Sequence, residues 1–221
     1  MVGQSKLHKK VAIAAAGNLI TDNAVVTPIS TALQSRVVHI MLEASLEDFK
    51  SWAFANNISA NVIAFLNYKP QYLHSFNPEH DDHTFACPRT WEFASKLENQ
   101  FSGALPKYNT ILFQGVLGKG VGLEFSTFIE IQKELVTYEE VVQDPVRCKI
   151  PNDLSTQWML LSHLVTKVTK ADLKSVLSYV KRMPIEFTTM FIKDLAQKDK
   201  ELVRTNPEIN NWIMENSHRL V

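Results

Sequence analysis

Hydrophobic and polar positions divide the chain into an opening with strand-like runs and a long remainder with helical spacing. Val11 to Ala16 is a continuous apolar run of strand length, the pattern of a strand covered on both faces within a parallel sheet. Residues 27 to 35 read as a short helix with Pro28 near its first turn, and Val37 to Leu42 as a second strand. From residue 45 the spacing turns helical. Ser45, with Asp48 three residues on, is an N-terminal capping signature ahead of "FKSWAFANN". "SANVIAFLNYKPQYL" then keeps helical spacing up to Pro70, and the polar loop from Phe76 to His83 separates it from a helix beginning at Thr90 or Trp91.

Beyond residue 100 the pattern predicts two helices separated by glycines within "GALPKYNTILFQGVLGKGVGLEFSTFIEIQKEL", and interruptions at Pro145 and Pro151. A helix follows from Asp153 to His163 or beyond. Another starts at Lys170-Ala-Asp172 and ends at Met183-Pro184, and the last two lie near Phe187 to Lys198 and Pro207 to Ser217. The fold class expected is mainly α. The best-supported boundary is near residue 43, where strand-like runs give way to helical spacing. No internal repeat or low-complexity tract is evident.

Composition narrows the function without choosing it. In 221 residues, 45% of them hydrophobic, there is enough apolar material for one sizeable core or two small ones. Lys and Arg number 23, as do Asp and Glu, so no net charge steers the chain toward nucleic acid or a membrane surface. Cys87 and Cys148 match no metal or redox spacing, which favours reduced thiols in a cytoplasmic setting. No apolar run reaches the roughly 18 residues needed to span a bilayer, and "MVGQSKLHKK" lacks the apolar stretch of a secretory signal.

Three separated segments carry candidate chemistry. The apolar run from Val11 ends in Gly17-Asn18, the segment after it reads Thr31-Ala-Leu-Gln-Ser-Arg36, and further on stands "CPRTWEFASKL" with Arg89 at a helix entrance. A polar side chain at the carboxyl end of a central parallel strand sits where such sheets place ligands, although Asn18 equally suits a turn after Gly17. Arg36 lies where a cation stabilises a helix C-terminus. Arg89 lies where helix N–H groups already favour anions, and also where it could pair with Asp81 or Asp82 on the surface.

In the order sensor 1, arginine finger, sensor 2, these segments resemble the MoxR-type AAA+ ATPases, phage-type members included. The resemblance covers roughly the first half of the chain. It implies that Asn18 is the sensor 1 amide positioning the water that attacks the γ-phosphate, and that Arg36 is a finger stabilising the phosphoryl-transfer transition state across a subunit boundary. Arg89 would be the lid arginine that reaches the nucleotide's phosphates. The resemblance also implies a fold in which residues 1–43 are the end of an α/β subdomain with two strands, 44–100 a helical lid, and 101–221 a continuation of the lid or a C-terminal helical region. ATP and Mg²⁺ are the implied cofactors. The implied partners are a homo-oligomeric ring, or a chain supplying the Walker half, together with a protein substrate to be remodelled.

Residues 1 to 10 leave no room for the strand, the G-x-x-x-x-G-K-[ST] loop and the Walker B strand that should precede sensor 1. Neither tight nucleotide binding nor hydrolysis is therefore expected of this chain alone. A non-catalytic helical interaction module retaining AAA+ vestiges is the alternative, because residues after about 100 carry none of these motifs. Other segments offer weaker chemistry. Gly115 to Gly120 lacks the spacing and the Ser/Thr of a phosphate loop and reads as a helix-helix turn. His74 and His80-Asp-Asp-His83 hold metal-ligating atoms without diagnostic spacing, so no metal site is expected. Trp52, Trp91, Trp158 and Trp212 fall in helical apolar patterns and read as core rather than as a base-stacking platform.

Overall fold

The computed structural model describes residues 8–19, 26–79, 82–101, 109–130 and 135–216. The chain forms two units, residues 1–42 with 77–80, and residues 43–76 with 81–221.

In the first unit the sole described helix is one short turn, α1 (Thr31–Gln34). The expected strands at 11–16 and 37–42 are not present, and there is no strand anywhere among the described residues. Pro28 precedes α1 instead of sitting in its first turn. A strand exists only when a neighbour pairs its N–H and C=O groups. No ladder joins the two apolar runs among the described residues. Their large side chains face solvent: Ile13 is 69% exposed, Val38 87% and Leu42 88%.

The second unit is helical: α2 (Leu46–Ala55), α3 (Ala60–Tyr68), α4 (Pro88–Phe101), α5 (Asn109–Leu117), α6 (Lys119–Glu130), α7 (Tyr138–Gln143), α8 (Leu154–Lys167), α9 (Leu173–Val180), α10 (Ile185–Lys198), α11 (Lys200–Arg204) and α12 (Pro207–Asn216). The caps explain where these elements begin. Ser45 Oγ accepts from the Asp48 N–H at 3.2 Å, as its position in sequence predicts. Asp153 caps α8 through the Thr156 N–H at 3.1 Å, and Asp199 caps α11 through the Leu202 N–H at 3.0 Å. Thr137 and Glu140 form a reciprocal capping box on α7. Helix α2 stops at Asn56, and Asn57 turns the chain with φ 54.

Two buried clusters hold this unit together. One gathers Phe65, Trp91, Phe113 and Phe125, whose rings meet at centroid distances of 5.0 to 5.5 Å. These are edge or tilted contacts, the arrangement that ring quadrupoles favour. The other is built on α8, α9 and α10, with Leu161, Leu164, Val176, Leu177, Phe191 and Leu195 at its centre. Helix α3 packs against α8, and α5 lies antiparallel to α6 after the turn at Gly118, φ 89. Of the four tryptophans expected in the core, Trp91 is fully buried, with its Nε1–H donating to the Tyr72 carbonyl at 2.7 Å. Trp212 is buried and Trp158 half-buried against Phe187. Trp52 departs from the expectation. It is 40% exposed, its ring tilted against that of the buried Phe49 at a centroid distance of 5.8 Å, at the edge of an open cleft. No helix among the described residues is long and apolar enough to cross a membrane.

Candidate functional site

Arg89 is the candidate residue that the structure places in a defined setting. Pro88 occupies the first position of α4, where its missing N–H costs nothing, and Thr90 Oγ1 accepts from the Cys87 N–H at 2.8 Å to fix the entrance. Arg89 therefore emerges, exposed, from the first turn of a 14-residue helix. It borders an open cleft of about 340 Å³ between the starts of α2 and α4, beside Glu43, Asp48, Phe49, Trp52 and Glu92. Glu92 also pairs with Lys96 one turn along, at 2.6 Å. Two helix N-termini and one guanidinium favour anions here, while three carboxylates oppose them.

The surface pairing of Arg89 with Asp82 is not found. Asp82 Oδ1 lies 3.7 Å from Lys119 Nζ, and Asp82 Oδ2 accepts from the Lys119 N–H at 3.3 Å. Asp81 lies outside the described residues. Arg89 makes no ion pair among the described residues, which leaves its guanidinium available.

Asn18 and Arg36 belong to the other unit. Asn18 is exposed in an irregular segment. Arg36 lies just past α1, exposed, and its guanidinium donates to the Ala32 carbonyl of that helix. That is the helix C-terminal role open to it from sequence; one retained side-chain bond to an exposed carbonyl is easily exchanged for another acceptor.

Of the segment Gly115 to Gly120 read as a helix-helix turn, only Gly118 lies between helices: Gly115 is within α5 and Gly120 within α6, and Gln114 Nε2 reaches across to the Lys119 carbonyl at 3.1 Å. Among the described residues no group of three His, Cys, Asp or Glu side chains could hold a metal ion. His80, one of the residues weighed for that role, lies outside the described set.

Sequence reading missed two buried polar clusters. Lys50 of α2 donates to Asp194 Oδ1 of α10 at 2.6 Å and to Asn67 Oδ1 of α3 at 3.1 Å, and Asn67 Nδ2 closes the set on Asp194 Oδ2 at 2.9 Å. Burial pushes the Asp194 carboxyl above its ordinary range, and the adjacent Lys50 ammonium works against that. In the second cluster, Glu98 of α4 accepts from the Ser59 hydroxyl and the Asn61 amide, while His163 Nε2 of α8 lies 2.8 Å from Asn61 Oδ1. Burial raises Glu98, with the Ser59 and Asn61 bonds opposing the rise. Burial and, secondarily, the Lys167 charge push His163 down to about 4. The available signal was faint: Lys50 falls beside Phe49 and Ala53 on the inward side of α2, and Asn67 and Asn61 interrupt an otherwise apolar helix.

No protein-family model, curated protein or solved structure matches the chain.

Proposed function

We propose that this chain is the carboxyl-terminal part of a MoxR-type AAA+ ATPase that works in a cytoplasmic setting. It would contribute the nucleotide-sensing lid, the finger arginine and a further helical region to an assembly that remodels a partner protein. ATP and Mg²⁺ would be held chiefly by groups outside these 221 residues, namely a phosphate loop and a Walker B acid. The observation that carries the reading is Arg89: an arginine with no ion pair among the described residues, at the first turn of a long helix, inside "CPRTWEF", beside a cleft with an exposed tryptophan. The bare apolar runs at 11–16 and 37–42 support it as well, since continuous apolar strands expect neighbours on both sides.

In an assembly that supplies the Walker half, the two arginines should fail differently. Arg36→Ala should lower kcat by on the order of 10³ to 10⁵ with ATP affinity largely kept, because a finger acts on charge that develops during transfer. Arg89→Ala should weaken ATP binding as well, since a lid arginine touches the ground-state nucleotide. Unchanged affinity and turnover in both variants would make them ordinary surface residues.

The second reading is a non-catalytic helical interaction module. It is favoured by the self-contained core of the second unit, in which α5 to α12 carry none of the nucleotide motifs. The full chain with Asn18, Arg36 and Arg89 all changed to Ala discriminates. A module would keep partner binding unaltered with and without ATP, whereas an ATPase part would lose the ATP-dependent component.

A further inference from the structure

A second open cleft, of about 660 Å³, lies among α2, α10, α11 and α12. Its volume is that of a ligand site. Its wall on α2 is fixed, because Lys50, the residue before the lining Ser51, is held to Asp194 of α10 at 2.6 Å. Val203 and Ile213 give the cleft apolar lining, Lys200 and Arg204 supply two cations, and no carboxylate is among its lining residues. The two cations stand four residues apart in α11, so they share one face with Cβ atoms about 6 Å apart. Neither charge is spent inside the fold. Lys200 makes no ion pair among the described residues, and Arg204 meets Glu201 at 3.1 Å with both side chains well exposed, a contact worth little in water. Lys198, by contrast, turns away to the Val165 and Thr166 carbonyls of α8, at 2.7 and 2.6 Å. Gln197 adds an unmet acceptor at the lining. Its Oε1 is shielded from solvent and receives no hydrogen bond among the described residues, so it gains from any donor that a partner brings.

We propose that this cleft binds a short peptide segment of a partner protein in which acidic side chains stand beside a large apolar one. The apolar side chain covers Val203 and Ile213, the carboxylates meet Lys200 and Arg204, and a peptide N–H reaches Gln197 Oε1 once that side chain turns toward the cleft. Charge complementarity selects this occupant. A bare inorganic anion would leave the apolar lining uncovered. Nucleic acid draws its affinity from many phosphate contacts, and the cleft offers two cations in a chain without net charge. A flat anionic bilayer does not enter a concave site. The inference goes beyond both readings of function above, neither of which gives a residue after Arg89 a role. No nucleotide enters its test, so its failure would leave the ATPase reading where it stands.

Panning a random dodecapeptide library displayed on phage against the full chain reads the occupant's chemistry directly. Selected peptides should be rich in Asp and Glu beside Leu, Ile, Phe or Trp. Fluorescein-labelled copies, followed by fluorescence anisotropy, should bind more weakly as salt rises. Lys200→Glu with Arg204→Glu should weaken them at least about tenfold. Ser51→Trp keeps both cations and narrows the cleft from an exposed position of α2, so it should weaken the same peptides by a comparable factor. Circular dichroism checks that the helices are intact, and Lys200→Gln with Arg204→Gln replaces the reversal where it disturbs them. Selected peptides without acidic residues would overturn the proposal, as would a library that yields no binder. So would binding indifferent to both variants, the result that capture by the exposed apolar runs at 11–16 and 37–42 would produce. Tighter binding of an oligonucleotide, or of phosphatidylserine vesicles, through Lys200 and Arg204 would also overturn it.

Discussion

Lys50, Asn67 and Asp194 satisfy one another where solvent does not reach, so the three are worth most as a set. Asp194→Ala would leave an ammonium buried without its counter-charge and should destabilise the fold by about 3–5 kcal/mol in urea denaturation at neutral pH. A loss under about 1 kcal/mol would mean that water already reaches the pair. His163 gives a pH signature. Its folded pKa is depressed to about 4 from 6.5, so the unfolded chain binds the extra proton between those values. Stability is therefore full above pH 6.5 and falls as pH drops toward 4, by about 2 kcal/mol between pH 7 and pH 5. Glu98 acts in the opposite sense, since its raised pKa favours the fold at lower pH. His163→Gln should flatten the decline in urea midpoints measured across this range, and an unaltered slope would assign the decline to other groups. Neither cluster was legible beforehand. A lysine on an inward face and an asparagine in an apolar helix mark a buried polar site, but the partner Asp194 lies 144 residues from Lys50 and only the folded chain pairs them.

At the scale of elements, local signals were read well where the determinant is local. The Ser45 cap, the Asp153 start of α8 and the glycine turn before α6 all follow from side chains within a few residues. Short α7 and α11 were missed because their capping residues, Thr137 and Asp199, announce helices of 6 and 5 residues, too short for periodicity to register. The strands failed for a different reason. Val11 to Ala16 and Val37 to Leu42 have strand composition, but a strand's hydrogen bonds belong to its neighbours, and no neighbour pairs with them among the described residues. The crossing of α5 and α6 shows what composition alone hides. A Cβ on Gly122 would sit 2.4 Å from Gln114 N and 2.5 Å from Gln114 Cα, against backbone that cannot swing aside. Gly122→Ala should force the two helices apart, cost about 1–3 kcal/mol and lower the Tm. Gly115→Ala, with nothing within 4 Å of its Cβ, should leave the Tm unchanged or raise it. Equal Tm values for the two variants would contradict this crossing.

For the whole molecule, the two units should differ sharply in protection. Residues 8–19 and 26–42 carry one short helix and exposed apolar side chains, whereas residues 43–76 and 82–216 enclose two packed cores. Hydrogen exchange should be much faster in residues 8–19 and 26–42 than in α3, α8 and α10, and uniformly slow exchange across these segments would contradict that contrast. The candidate site was legible to the same uneven degree. Arg89 was found from its helix entrance and borders a cleft with no ion pair among the described residues, while Asn18 and Arg36 were placed by the sheet expected around them, which is not present among the described residues. The most direct measurement is steady-state ATP turnover, taken with this chain by itself and with a polypeptide that supplies the phosphate loop and the Walker B strand. The expected result is no turnover above background for the chain alone, turnover in the combined assembly, and its loss with Arg36→Ala. Turnover by the isolated chain that disappears with Arg36→Ala would contradict this, as would an assembled complex whose turnover ignores Arg36 and Arg89 alike.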